Sequence, residues 1–120
     1  MQITKINDVY SATGQINIDD LDQISEKGFK TIICLRPQDE DKENQPDQSL
    51  LKMEAHKKGV KFISIPITPG NITEENIQTF TQKFNDSDYP VLGYCRSGGR
   101  AKSIYQAYEK HNNSSRSSKG

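Results

Sequence analysis

Val91-Leu92-Gly93-Tyr94-Cys95-Arg96-Ser97-Gly98-Gly99-Arg100 is the stretch on which the reading of this chain turns. An apolar run ends in a cysteine, a glycine-bearing loop follows, and Arg100 opens a pattern in which Ala101, Ile104, Tyr105 and Tyr108 recur at i, i+3, i+4 and i+7. The loop is therefore expected between a buried strand and a helix N-terminus, where the first backbone N–H groups lack partners and the helix dipole is positive. Gly98 and Gly99 carry no Cβ, so consecutive amides can turn inward around one anion. A helix N-terminus with adjacent arginines favours the thiolate form of a cysteine, which makes Cys95 the candidate nucleophile and Arg100 the second candidate catalytic residue. Arg96, Ser97, Gly98 and Gly99 complete an anion-binding loop. The plainer alternative, a small buried cysteine before an ordinary strand-to-helix turn, needs the cysteine, both arginines, both glycines and the helix to fall together by coincidence.

Outward from that loop, alternating strand and helix signals fill the chain. Asp8 to Thr13 reads as a short strand, and Asp19 or Asp20 can cap a helix reaching about Lys27, with Gly28 as its stop. Phe29 to Leu35 is a nearly continuous apolar run, as expected of a strand buried on both faces. The polar, acidic stretch from Gln38 to Gln48 contains Pro46 and is expected to be a solvated loop; a helix carrying Leu50, Leu51, Met53 and Ala55 follows and ends before Gly59. Val60 to Ile67 reads as a strand, with Pro66 placing its end at an edge or where pairing stops. Thr73 is an expected N-cap, with Glu74 and Glu75 in the first turn and Ile77, Phe80 and Phe84 at helical spacing. Such alternation predicts a parallel-dominated sheet flanked by helices, with the strands' C-terminal ends, and hence Arg36, the Thr68 to Gly70 segment and Cys95, along one ligand-binding edge.

Composition narrows the partners. A length of 120 residues with 32% hydrophobic content fits one small α/β domain, expected over residues 1–111, with a serine- and asparagine-rich disordered tail at 112–120. Sixteen basic and sixteen acidic residues cancel, which argues against a nucleic-acid or membrane partner and leaves anion binding to local geometry. The N-terminus lacks the apolar core of a signal peptide and no stretch is apolar enough to span a bilayer, so a cytoplasmic location is expected. Two cysteines suit a reducing compartment better than a disulfide scaffold. His56 and His111 stand alone on predicted helices, expected to face solvent, and neither a metal site nor a cofactor is expected.

The loop Cys95-Arg96-Ser97-Gly98-Gly99-Arg100 resembles the active loop of the bacterial beta-lactamase-hydrolase-like family, whose domain is related to the dual-specificity phosphatases. Ser11-Ala12-Thr13-Gly14-Gln15, Thr31-Ile32-Ile33-Cys34-Leu35-Arg36-Pro37 and Ile65-Pro66-Ile67 carry the resemblance further, over roughly residues 3 to 110. It implies a dual-specificity-phosphatase-like fold and a cysteine nucleophile, and leaves the reaction open between phosphoester hydrolysis and sulfur transfer.

Two departures from the phosphatase pattern bear on that choice. Phosphatases of this broad type spell their loop Cys-x5-Arg, whereas the arginine here comes one residue early, as in the rhodaneses, and the Cys-x5 position is Ala101. Ala101 cannot stabilise a departing thiolate as a hydroxyl would, and Ser103 is a weak substitute. The segment Ile65 to Asn71, where the resemblance would place a general acid, contains no carboxylate. Losing general-acid help costs roughly 10²–10⁴ in rate, or about 3–5 kcal/mol, when the leaving group is a poorly stabilised oxyanion. A sulfane-sulfur donor such as thiosulfate or a persulfide departs as a stable anion and needs no proton. The leading expectation is therefore a sulfurtransferase carrying sulfur as a Cys95 persulfide, working with a small anionic substrate and a persulfide-handling partner enzyme; the alternatives are a phosphatase-like hydrolase with a phosphocysteine intermediate and a non-catalytic anion-binding module. Arg36 reads equally as a substrate contact or as the partner of a carboxylate in Asp39-Glu40-Asp41, which could rim the crevice. Cys34 reads as a small core residue, with a protective disulfide to Cys95 as the rarer alternative.

Overall fold

The computed structural model describes residues 1–41 and 43–119, with side chains described through residue 111. Five strands form one sheet in the order β1-β2-β5-β3-β4, where β1 is Thr4–Lys5, β2 Tyr10–Thr13, β3 Thr31–Cys34, β4 Lys61–Ser64 and β5 Val91–Tyr94. All neighbours pair in parallel except β1 with β2, so the sheet is parallel-dominated with one antiparallel edge. The helices are α1 (Leu21–Glu26), α2 (Gln48–Lys57), α3 (Glu74–Asn85) and α4 (Gly99–Lys119), with a short 3-10 turn at Ile18–Asp20 ahead of α1. α4 crosses the expected boundary after residue 111, and the tail expected at 112–120 lies outside the residues whose side chains are described. Among the described residues no helix is long and apolar enough to cross a membrane.

Several expected strands extend beyond their paired cores. Lys30 N donates to Pro90 O, Leu35 N to Tyr94 O, Ile65 N to Cys34 O and Ile67 N to Leu35 O, so the apolar flanks of β3 and β4 remain hydrogen-bonded outside the regular ladder. α3 begins where its cap is expected: the Thr73 hydroxyl accepts from Asn76 N and the Asn76 side chain accepts from Thr73 N. α2 is capped by Asp47, whose carboxylate accepts from Ser49 N.

Residues alternate between the two faces of a strand, so β3 sends Ile33, with Leu35 beyond its end, to one core and Ile32 and Cys34 to the other. The first core includes Phe80 and Phe84 of α3 and Ala101, Ile104 and Tyr105 of α4; the second includes Leu21 and Ile24 of α1 and Leu51 and Ala55 of α2. Tyr10 stacks on Tyr105 with ring centroids 4.3 Å apart, and its hydroxyl donates to Ala101 O at 2.8 Å. A Cβ on Gly93 would lie 2.0 Å from that hydroxyl. The glycine in β5 thus leaves the passage through which Tyr10 ties the sheet to the first turn of α4.

The parity of the register corrects one reading. Cys34 pairs with Tyr94 in the ladder and packs in the second core, whereas Cys95 lies in the first. Both thiols are free, and side chains on opposite faces cannot be bridged without moving the backbone, so the protective disulfide is discarded. Burial raises the pKa of the Cys34 thiol and keeps it protonated, as suits a core residue. His56 and His111 are exposed, as expected.

Candidate active site

β5 ends at Tyr94 in the middle of the sheet and α4 starts at Gly99, so residues 95–98 make the turn from strand to helix. Cys95 is only 1% exposed. Its N–H donates to Thr13 O at 3.3 Å, and its Sγ accepts from Gly98 N at 3.1 Å. That backbone donor is aimed at the sulfur without any side chain, which is the arrangement expected where a thiolate or an anion bound to it must be stabilised.

The turn depends on Gly98, which has φ +95°. A Cβ there would also meet Thr13 C at 3.4 Å. Gly98→Ala is expected to cost about 1–3 kcal/mol from backbone strain alone and to withdraw the N–H from Cys95. A thermal melt should show the stability loss, and the rate of Cys95 alkylation at fixed pH should fall with it; a variant unchanged in both would show that the conformation is dispensable.

The β2 end braces the loop from the other side, with Gln15 N donating to Arg96 O at 3.2 Å. Arg96, Ser97 and Gly99 are exposed, Gly98 is buried, and the Arg100 side chain is only 9% exposed. Arg100 is fully engaged at one end of its guanidinium: Nη1 donates to Glu40 Oε1 at 2.8 Å and to Ile67 O at 2.9 Å, while Nη2 donates to Glu40 Oε2 at 2.8 Å. Burial works against its charge, but the Glu40 hydrogen bonds and charge, with a smaller contribution from neighbouring Cys95, raise its pKa overall. A groove lined by Gly70, Ile72, Gly99, Arg100 and Ser103 runs beside it, bringing the Thr68 to Gly70 segment to the expected edge.

Arg36 is 2% exposed and faces carboxylates. Its Nε donates to Glu40 Oε2 at 2.6 Å, its Nη1 to Gln15 Oε1 at 2.7 Å, and its Nη2 lies 3.8 Å from Asp41 Oδ2. Of the two readings of Arg36, the geometry gives the carboxylate partner.

The residue that the sequence reading did not single out is Glu40. The hydrogen bond from Arg100, opposed by burial and reinforced by the one from Arg36, holds its pKa below the ordinary range, so it stays ionised at neutral pH. The expectation of a wholly solvated loop over Gln38 to Gln48 is corrected as well. Gln45 and Gln48 are buried, with Gln45 Nε2 donating to Pro37 O at 2.8 Å and Gln48 Nε2 to Arg36 O at 2.7 Å. Amide side chains satisfy backbone carbonyls that a free loop would leave to water, and this fixes Glu40 over the strand ends. The Arg36 to Glu40 spacing, in a cluster able to neutralise a buried arginine, was the available signal.

The family model for the beta-lactamase hydrolase-like protein, phosphatase-like domain, matches residues 2–109. A beta-lactamase hydrolase-like protein of Agrobacterium fabrum is 35% identical over 105 residues, covering 88% of this chain and 24% of that protein. The chain thus spans about a quarter of the length of the curated relatives it matches. Among solved structures, a phosphatase candidate from Neisseria meningitidis superposes with a TM-score of 0.80 at 37% identity, over 88% of this chain and 74% of its own. Another from Shewanella putrefaciens gives a TM-score of 0.79 at 19% identity, over 93% and 69% respectively, and speaks for the fold alone. The matching family model describes a phosphatase-like domain and the Neisseria structure is described as a phosphatase candidate, which favours the hydrolase alternative over the sulfurtransferase that led the expectations.

Proposed function

Because the chain belongs to the beta-lactamase hydrolase-like protein family as its phosphatase-like domain, we propose that it is a cysteine-based phosphoester hydrolase working through a phosphocysteine. Cys95 Sγ attacks phosphorus, the bond from phosphorus to the leaving oxygen breaks, and that oxygen departs as an anion that takes its proton from solvent. Water then attacks the phosphocysteine, the S–P bond breaks, and inorganic phosphate leaves with the thiolate restored; the sum is ester plus water giving alcohol plus phosphate. The observation that carries this reading is the Gly98 N–H at 3.1 Å from Sγ, which stabilises the sulfur both as nucleophile and as leaving group. Arg100 supplies the positive charge for the phosphoryl oxygens, and the Gly98 and Gly99 turn presents the backbone amides.

The carboxylate bound to Arg100 cannot supply the missing proton. Glu40 is held ionised by two arginines, and Ile65 to Asn71 offers no carboxylate. The substrates this site suits are therefore esters with good leaving groups, and the rate is expected to fall steeply as leaving-group pKa rises. A series of aryl phosphates from para-nitrophenyl phosphate to phenyl phosphate, with phosphoserine at the far end, tests this. A flat dependence would require a proton donor and would overturn the account of the leaving group.

The short Cys-x4-Arg spacing and the lack of a proton donor still favour sulfur transfer, so the experiment must separate the two. Reduced protein is incubated with para-nitrophenyl phosphate, thiosulfate and glutathione persulfide, and products are measured alongside intact mass. Phosphate release with a transient phosphoryl increment supports the hydrolase. A stable one-sulfur increment removed by cyanide, without phosphate release, overturns it in favour of the sulfurtransferase.

A further inference from the structure

We propose that Glu40, backed by Arg36, is a positioning residue that aims the free edge of Arg100 at the bound anion. The inference rests on the proposed hydrolase reading only in taking that anion to be a phosphoryl group. A guanidinium has five N–H donors arranged as an end fork and a side fork. In Arg100 the two Glu40 oxygens take the end fork, and Ile67 O takes the other hydrogen on Nη1. What remains is Nε–H and the second hydrogen on Nη2, which together form the side fork. A planar pair of parallel donors is the part of an arginine that best matches two oxygens of a phosphate.

Two readings of that contact make opposite predictions. As a competing anion, Glu40 would occupy the arginine in place of substrate and weaken its pull. As a brace, it would fix the guanidinium plane before the substrate arrives. The occupied positions decide between them, because the carboxylate holds the end of the group and takes neither donor of the side fork, which is left to neighbouring Cys95 and an anion bound there.

Glu40 is itself held from behind. Arg36 Nε donates to Oε2 at 2.6 Å, and Arg36 Nη1 donates to Gln15 Oε1 at 2.7 Å. Gln15 N in turn donates to Arg96 O in the anion-binding loop at 3.2 Å. A continuous chain of polar contacts thus runs from the front of the loop through Gln15, Arg36 and Glu40 to Arg100 at its back. A free arginine has many rotamers to lose on binding, and freezing it beforehand reserves binding energy for the reaction. Displacement of such a group by about 1 Å costs on the order of 10²-fold in rate.

The test measures anion affinity directly. Wild type, Glu40→Gln and Arg36→Lys are titrated calorimetrically with inorganic phosphate and with thiosulfate, beside kcat and KM for para-nitrophenyl phosphate and a thermal melt. Glu40→Gln removes a negative charge, so electrostatics alone would tighten anion binding. The brace predicts the reverse: about tenfold or greater weakening of phosphate affinity and a matching rise in KM in the folded protein, with a smaller loss in the same direction for Arg36→Lys. Tighter or unchanged anion binding in folded Glu40→Gln overturns the inference, as does a lowered melting temperature with unaltered affinity. If Glu40→Gln does not fold, Arg36→Lys decides by the same criteria. Wild type that binds neither anion also overturns it. Wild type that binds phosphate without hydrolysing esters sinks the proposed reaction while the inference stands on the affinities.

Discussion

Cys95→Ser is expected to lower turnover of para-nitrophenyl phosphate by about 10⁴-fold or more while the protein stays folded. A serine hydroxyl is almost wholly un-ionised at neutral pH and cannot take the place of a thiolate. The fold should tolerate the change because Cys95 is held by its backbone, with its N–H on Thr13 O, and because a serine oxygen can accept the Gly98 N–H as the sulfur does. The melting temperature should move by a few degrees at most, and no mass increment should form on the variant with any donor. Retention of even a tenth of wild-type activity would place the nucleophile elsewhere.

Arg100→Lys should be the second most damaging change, lowering kcat/KM by about 10²–10³, equivalent to about 2.7–4 kcal/mol of transition-state stabilisation. Lysine keeps the charge but loses both forks, so it can neither present two parallel donors to the phosphoryl oxygens nor hold the two Glu40 oxygens at once. Arg96, exposed on the rim, should behave differently, with Arg96→Ala costing no more than about threefold, as befits a solvent-screened charge. Steady-state kinetics of the two variants side by side checks the ranking. A greater loss from Arg96→Ala would reverse the roles of the two arginines.

Local pattern was enough to place the strand-to-helix turn after Cys95 and α3. The helical spacing after Arg100 and the capping threonine at position 73 depend on contacts within a few residues, and each appears where its pattern puts it. The parallel-dominated sheet also follows from local signals, since alternating strands and helices with short connections admit few other arrangements. The short β1 edge was missed because two residues carry too little pattern to read.

The chemistry around the loop was decided at longer range. Glu40 and Arg100 meet across 60 positions of sequence, and no local period encodes that meeting. It requires the order that sets β3 beside β5, together with the buried glutamines that fold the 36–48 segment back over the strand ends. The separation of Cys34 from Cys95 is of the same kind: both lie at strand ends on one edge, but alternate residues of a strand face opposite ways, and only the register puts one thiol in each core. Which residues could form a reactive loop is legible along the chain, because strand, glycine turn and helix start are properties of neighbours in sequence. Tertiary structure alone decided which carboxylate holds its arginine, because that contact exists only once separate strands have been brought into register.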